Sequence, residues 1–488
     1  MPKDSRLQTK THMTVLVVYP DAAQETHEKL VGIARKQLPK DTRFIPLPYS
    51  KVLTGHMSFA LDFADAMMII SWPKGARKYL MAYTFAWFLE IPHVLVDYRW
   101  LQGVEQAHEG ESANGTTAFL RFFDVKLSFL KTLVRHTANT KQEFMTWLRG
   151  LRGGICLVCS VQPKTERIKI SRLLVLKSLL KGYSLGKIRT GVTNFVRNFA
   201  SIKQVLPKKS VNIMTYFIDA RASRRKGPIV GQGELSDRKL LIFFPGITAR
   251  YTAYLPMLEK LRERYDIVTL DMPLHGMSDK HMWMSDTHTF AGLLAASILV
   301  FVSRFAPGAT LQEKMQNTVL LGHSLGAGML TKAANLLENA LQMQFGKLFV
   351  YSPIGFQVSH GKFYLFLKGN KLKIQHWTSY YKFTRHVKKG IVDGFINLAQ
   401  NYNGSFKKSP MFRLYLQLEK GIPEFEKIFI NTKSVLVFAD KDHYFNTQYR
   451  LRFARLFRLV KYLEVQGLHD WPVIKPAMAA KIVLEEDE

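Results

Sequence analysis

The chain alternates short apolar runs with amphipathic stretches of helical period. "MTVLVVYP" (13–20), "TRFIPLPY" (42–49), "ADAMMIISW" (64–72) and "PHVLVDY" (92–98) predict buried strands. Helices are predicted over 24–38 and 76–90. "TAFLRFFD" and "GICLVCSVQ" add two candidate edge strands, with a helix over 126–150 between them. Strands alternating with helices predict a parallel sheet with helices packed on its faces. These runs define a first α/β domain over 1–162.

The pattern then changes twice. Over 163–210 it becomes basic and helical, and this stretch is expected to be a connector. Ile188, Val192, Phe195, Val196, Phe199 and Ile202 recur at helical spacing, with Lys187, Arg189, Arg197 and Lys203 on other faces. Such a basic amphipathic helix suits a membrane surface, or packs its apolar stripe on a neighbouring domain. From 211 a second series of apolar runs begins. "VNIMTYFID" and "PIVGQGEL" suggest a hairpin. Strands are predicted at 239–244, 266–271, 318–322, 347–352, 434–439 and 461–465, most of them separated by helical stretches. This is a second, larger α/β domain over 211–488, carrying an insertion at about 355–432. The longest apolar run, "FAGLLAASILVFVSRFA", is broken by Ser297, Ser303 and Arg304. It falls short of the roughly 20 residues a membrane helix needs, so a buried helix is expected. The first 13 residues contain no apolar leader, so a cytoplasmic location is expected, with peripheral membrane association open.

Charge adds a further feature. The 488 residues hold 69 Lys and Arg against 38 Asp and Glu, a formal net charge of +31. The segment 121–230 alone has 23 basic residues against the four acids Asp124, Glu143, Glu166 and Asp219. A field this concentrated favours a polyanion, either an anionic lipid surface or nucleic acid, unless it is simply a solvated face. The two cysteines, Cys156 and Cys159, stand alone in a β-like run and are read as buried thiols.

The chemistry is concentrated in "VLLGHSLGAGML". Gly322-His323-Ser324-Leu325-Gly326 is a G-x-S-x-G element between a predicted strand and a predicted helix, the context of a nucleophile elbow. Glycines flank the serine because β-carbons there would meet the neighbouring strand and helix. Three other segments agree. "IFFPGIT" ends a strand at a Pro245-Gly246 turn, which makes the N–H groups of Ile247 and Leu325 the candidate oxyanion-hole donors. "VLVFADKDHYF" ends another strand with Asp440 and Asp442. "EVQGLHDWP" ends the last strand with His469. The chain order Ser, Asp, His is the one expected with a G-x-S-x-G nucleophile elbow.

On these motifs the sequence resembles the α/β-hydrolase family, of the lipase, esterase and thioesterase kind, over about 211–488. "FFPGITARY", "LDMPLHGMSD", "GHSLGAG", "FADKDHYF" and "QGLHDWP" carry the resemblance. It implies an α/β-hydrolase domain with a helical cap formed by the insertion. It also implies a triad of Ser324, His469 and Asp442, with Asp440 the alternative acid, since Ala439 replaces the usual glycine. His275 is expected to shape the site without reacting. No metal or cofactor is required by this chemistry. In the first domain, the run from "DFADAMMIISW" to "IPHVLV" resembles the nucleoside deoxyribosyltransferase-like group of small Rossmann-like domains. That group carries a catalytic glutamate on the intervening helix. Here Ala82 takes its place and Glu90 lies too close to the following strand. No G-x-G-x-x-G follows the first strand, so a non-catalytic sensor or docking module is expected.

The expected activity is cleavage of a carboxylic ester or thioester of lipid-like or acyl type through an acyl-enzyme. Residues 360–390 of the insertion hold eight Lys and Arg, no acid and seven aromatics, which suits an acyl substrate with an anionic head or a lipid interface. Two alternatives stay open: a polyanion-binding protein that uses an inactive hydrolase fold as scaffold, and an acyltransferase. The sequence leaves the oligomeric state unknown.

Overall fold

The computed structural model describes residues 13–71, 76–89, 91–97, 137–138, 142, 144–148, 163–182, 209–218, 238–358, 384–402 and 408–487. Several sequence readings lie outside these residues. They are Cys156 and Cys159, the two candidate edge strands at 117–124 and 154–162, Glu90, the amphipathic stretch 187–203, "PIVGQGEL" and insertion residues 360–383. The chain divides into two compact units, Met1–Ser160 and Val161–Glu488.

Among the described residues, the first unit has five parallel strands: β1 (Thr14–Tyr19), β2 (Arg43–Pro48), β3 (Ala66–Ser71), β4 (His93–Asp97) and the short β5 (Thr137–Ala138). Their spatial order is β2-β1-β3-β4-β5. Val15 and Val17 pack with Leu30, Val31 and Ala34 of the helix Gln24–Arg35, and with Phe144 and Leu148. Leu16 and Val18 alternate to the opposite face and are equally buried. Burial on both faces explains why these strands are continuously apolar rather than alternating. Pro46 and Pro48 fall on β2, an edge strand, where a missing N–H is tolerated. The order 2-1-3-4-5 is the flavodoxin-like form of the doubly wound parallel sheet, in keeping with the Rossmann-like domain expected.

The second unit is an eight-stranded sheet. Its strands are β6 (Lys164–Ile170), β7 (Val211–Ile218), β8 (Leu240–Phe244), β9 (Asp266–Leu270), β10 (Thr318–His323), β11 (Lys347–Tyr351), β12 (Ser434–Ala439) and β13 (Val460–Val465). They lie in the order β13-β12-β11-β10-β8-β9-β7-β6. β7 is antiparallel to both its neighbours, and the other pairings are parallel.

Here the structure departs from the expected connector. Lys164–Ile170 is an edge strand whose partner is β7, paired from Lys164↔Phe217 to Ile170↔Val211. The helix Arg172–Gly182 follows it and packs on the helix Thr287–Phe305, where the Ser303 hydroxyl donates to the Ser178 carbonyl at 3.1 Å. Ile168, Ile170, Val175 and Leu179 thereby join the main core. The second unit therefore begins some 50 residues before the composition shift at 211. The basic residues of this stretch masked its alternation, because an edge strand keeps one face wet. The hairpin expected between "VNIMTYFID" and "PIVGQGEL" falls partly outside the described residues; among those described, β7 pairs with β6 and β9.

Thr287–Phe305 is the buried helix expected from the apolar run. Asp286 caps it by accepting the Thr289 N–H at 2.7 Å, and residues 290–303 are buried without a break. By length and composition it could cross a membrane, yet the unit's own core covers it. A chain starting at Val161 is expected to unfold cooperatively in circular dichroism. One starting at Val211 loses four buried aliphatic side chains, each worth about 2 kcal/mol, and is expected to aggregate or lose that transition.

Candidate active site

β10 runs straight into the helix Leu325–Leu341, and Ser324 is the single residue between them. Its backbone sits at φ 53°, ψ −118°, a region non-glycine residues seldom enter. The neighbouring elements hold it there. The Ser324 N–H donates to the Tyr351 carbonyl on β11 at 2.9 Å, and its carbonyl accepts from Gly328 and Ile354. The flanking glycines are steric requirements. A β-carbon on Gly322 would lie 2.6 Å from the Ala327 Cα, and one on Gly326 would run into the Phe244 and Pro245 carbonyls. One on Gly328 would strike the Ile354 carbonyl. Ser324 thus stands at the carboxyl end of a central strand, where open α/β sheets place their ligands.

Two later strand ends converge on it. The Ser324 hydroxyl lies 2.8 Å from His469 Nε2, and His469 Nδ1 lies 2.9 Å from Asp442 Oδ2. All three residues are buried. Asp442 also accepts the Tyr444 N–H at 3.0 Å, which fixes the carboxylate plane. Burial pushes its carboxyl up. The His469 ring, the Tyr444 N–H and the nearby His443 outweigh that and hold it below the usual carboxylate range. Asp440, the rival acid, is exposed and turned elsewhere. It accepts from the N–H groups of Lys441 at 2.8 Å and Gly467 at 2.7 Å and so ties the two loops together. The ring of His469 is flanked by Tyr444 and Phe445, with centroids at 4.7 and 5.4 Å.

Behind the serine runs a second chain of bonds that the sequence reading did not foresee. Gly246 N–H donates to the Tyr254 hydroxyl at 3.2 Å, and that hydroxyl lies 2.7 Å from His323 Nδ1. Burial pushes the Tyr254 hydroxyl far up, so it keeps its proton and donates to Nδ1. His323 Nε2 then donates to the His469 carbonyl at 3.0 Å. The turn at Gly246 passes close against the elbow: a β-carbon there would lie 3.2 Å from His323 Nδ1 and 3.3 Å from Ser324 Cβ. Ile247 follows that turn. Leu325 opens the helix, so its N–H is one of those a helix leaves without an intrahelical acceptor. His323, His469 and Asp470 form a cluster of metal-ligand type, with ligand atoms within 4.8 Å of one another. The ring nitrogens of both histidines are already committed to the bonds above. A cation there would break the Ser–His–Asp chain.

His275 lies in the loop after β9. Its Nε2 accepts the Thr248 N–H at 2.9 Å while Nδ1 donates to the Pro273 carbonyl at 2.9 Å, which places it beside the turn as expected of a shaping residue.

The strand order, the lone antiparallel β7 and the strained serine between β10 and its helix decide the architecture. The second unit has the α/β-hydrolase fold. No family model matches the chain, and no curated protein matches it. Among solved structures, a membrane phospholipase A described as a bacterial virulence factor is 17% identical, with a TM-score of 0.41 over 64% of this chain and 97% of its own. A putative aryl esterase from Burkholderia cenocepacia is 12% identical, with a TM-score of 0.42 over 57% and 94%. A thioesterase domain from the curacin biosynthetic pathway is 15% identical, with a TM-score of 0.37 over 56% and 95%. At such identities the likeness concerns the fold alone.

Within the second unit the close approaches set the first expectation. Gly326→Ala should lower the unfolding free energy by about 3 kcal/mol or more, read from urea denaturation, because the clash is with backbone that has little room to yield. The second concerns pH. The depressed Asp442 carboxyl contributes stability in full above the ordinary carboxylate range and loses it as pH falls through its own lower value. The stability gap between wild type and Asp442→Asn is therefore expected to narrow on acidification through that window.

Proposed function

We propose that the second unit is a serine hydrolase that cleaves a carboxylic ester or thioester of an acyl or lipid-like substrate. The observation that carries this reading is the buried chain Ser324 Oγ, His469 Nε2, His469 Nδ1, Asp442 Oδ2, set on an elbow. In this reading His469 takes the serine proton as Oγ attacks the carbonyl carbon. Asp442 keeps the ring in the tautomer with Nδ1 protonated and stabilises the imidazolium. The N–H groups of Ile247 and Leu325 receive the oxyanion. His469 returns the proton to the leaving alcohol or thiol, an acyl-enzyme remains on Ser324, and water activated by the same histidine releases the acid.

An alcohol in place of that water would give acyl transfer by the same residues. The concentrated positive charge of 121–230 supports an anionic headgroup or surface, read through a steep loss of vesicle binding with salt. The first unit is read as non-catalytic: the buried Ala82 stands on the helix Ala76–Phe88 where the resembling group carries its glutamate.

Labelling with a fluorophosphonate probe tests the proposal. Wild type should label, while Ser324→Ala and His469→Ala should not. Asp442→Asn should keep the fold and lose about 10⁴-fold in turnover of a p-nitrophenyl ester, because the ring then settles in the wrong tautomer. Asp440→Asn should retain wild-type turnover. A folded wild type that neither labels nor hydrolyses any ester of a graded acyl series would remove the proposal.

A further inference from the structure

The insertion between β11 and β12 contains the helix Arg385–Gln400. Lys389, Asp393, Asn397 and Asn401 follow one another at intervals of four, so they lie along one face of it. That face is buried: Asp393 and Asn397 are fully enclosed, and Lys389 and Asn401 nearly so. A helix that turns a polar stripe inward gains little from it, since apolar residues of the same volume would pack at lower desolvation cost. The stripe must satisfy partners, and besides bonds within the helix it reaches the two loops that follow β8 and β9.

Asp393 accepts from the Thr252 hydroxyl at 2.6 Å, pairs with Lys389, and lies 3.8 Å from the Arg250 guanidinium. Arg250 is fully buried and donates to Asp271 at 2.9 Å, and Asp271 also accepts from the Tyr216 hydroxyl and the Met277 N–H. Asn401 donates to the Leu274 carbonyl at 2.9 Å. Asn397 makes the contact nearest the serine. Its Nδ2 donates to the Thr248 carbonyl at 2.8 Å, while its Oδ1 accepts from the Gly276 N–H and from Gln400, both at 2.7 Å. A flipped amide would lose all three bonds, so its orientation is fixed.

Thr248 is the residue that needs holding. It is β-branched and sits at φ 60°, in the left-handed region that glycine enters freely and threonine resists. Both its backbone polar groups are clamped, the N–H by His275 Nε2 and the carbonyl by Asn397. Ile247 and Thr248 are the central residues of a turn in which the Ala249 N–H donates to the Gly246 carbonyl at 3.1 Å; that carbonyl belongs to the same peptide as the Ile247 N–H, so the left-handed conformation of Thr248, by closing the turn, helps fix that peptide.

We propose that Asn397, with His275, is a positioning residue for the oxyanion hole: it holds Thr248 in a left-handed conformation and so aims the Ile247 N–H. The insertion is then a working part of the active site. This inference rests on the serine-hydrolase reading above.

The test compares Asn397→Ala and Asn397→Asp, each alone and with Thr248→Gly. Thermal melts establish which variants are folded. Turnover and KM are measured with p-nitrophenyl acetate, and inhibition with a trifluoromethyl ketone, whose bound form mimics the oxyanion. Asn397→Asp keeps the acceptor for Gly276 but sets a carboxylate oxygen against the Thr248 carbonyl. The expected result is a fall in kcat of about 100-fold with KM within about threefold, and a parallel loss of ketone affinity. Thr248→Gly should recover about tenfold of the kcat lost in Asn397→Ala, because glycine needs no clamp at that φ. Folded Asn397 variants with wild-type kcat would overturn the inference. So would a kcat loss that Thr248→Gly does not relieve, since that marks a merely structural helix. If Asn397→Asp fails to fold, the Ala pair decides by the same two criteria. A wild type that is inert to ester and fluorophosphonate alike refutes the serine-hydrolase reading itself. A wild type that labels, beside unaffected Asn397 variants, refutes only the positioning role.

Discussion

The second unit depends on one backbone position. Ser324 stands at a positive φ between a central strand and the helix that follows, a state that costs a non-glycine residue on the order of 1–3 kcal/mol. The strain persists because the surroundings leave no alternative. Tyr351 of β11 holds the serine N–H, Gly328 and Ile354 hold its carbonyl, and three glycines let the helix come down against β8 and the chain after β11. What results is a hydroxyl lifted clear of the sheet at its carboxyl edge. There the parallel direction of the strands brings together the ends of β8, β9, β10, β12 and β13.

Those strand ends do separate work, and hydrogen bonds couple them. The Asp442 loop and the His469 loop are joined by the carboxylate–imidazole bond facing the serine, and on the outer side by Asp440 accepting the Gly467 N–H and by the Lys441 N–H donating to the Gly467 carbonyl. The β8 turn is joined to the elbow through Tyr254 and His323, and His323 in turn holds the backbone of His469. His323 is therefore more than the variable residue of G-x-S-x-G. Replacing it or Tyr254 would leave polar groups unpaired in a dry interior, which costs more than a hydrogen bond made in water returns.

Much of this arrangement was legible in the chain. The apolar runs located every strand of the second sheet from β7 to β13, and the glycines around Ser324 announced a close approach before any distance was known. Asp442 and His469 could be named because each follows an apolar run by a few residues, and strand ends converge. The rest was hidden for physical reasons. β6 is an edge strand in which Lys164, Arg167 and Lys169 break up the apolar signal, so it read as part of a basic connector. The inward face of Arg385–Gln400 is polar, against the usual rule, so hydrophobic periodicity gives no sign of the anchoring stripe. Its one visible signal was the spacing of four that repeats through Lys389, Asp393, Asn397 and Asn401. Tyr254 carries no motif and Arg250 is only the penultimate residue of "FFPGITARY", and only the fold shows that both are enclosed. The choice between Asp440 and Asp442 also needed the fold, because two residues of separation along a turn point two carboxylates in different directions.

The buried helix Thr287–Phe305 has a consequence for how the protein is made. As a nascent segment it is apolar enough to be taken for a membrane span, and it is safe only once its sides are covered. Part of its cover, β6 and the helix Arg172–Gly182, precedes it by more than a hundred residues and leaves the ribosome first. The remainder, the elbow helix Leu325–Leu341, emerges about twenty residues behind it. Chain order thus supplies a partly built, apolar groove before this apolar segment appears, and a helix that helps finish the groove is the one that begins directly after Ser324.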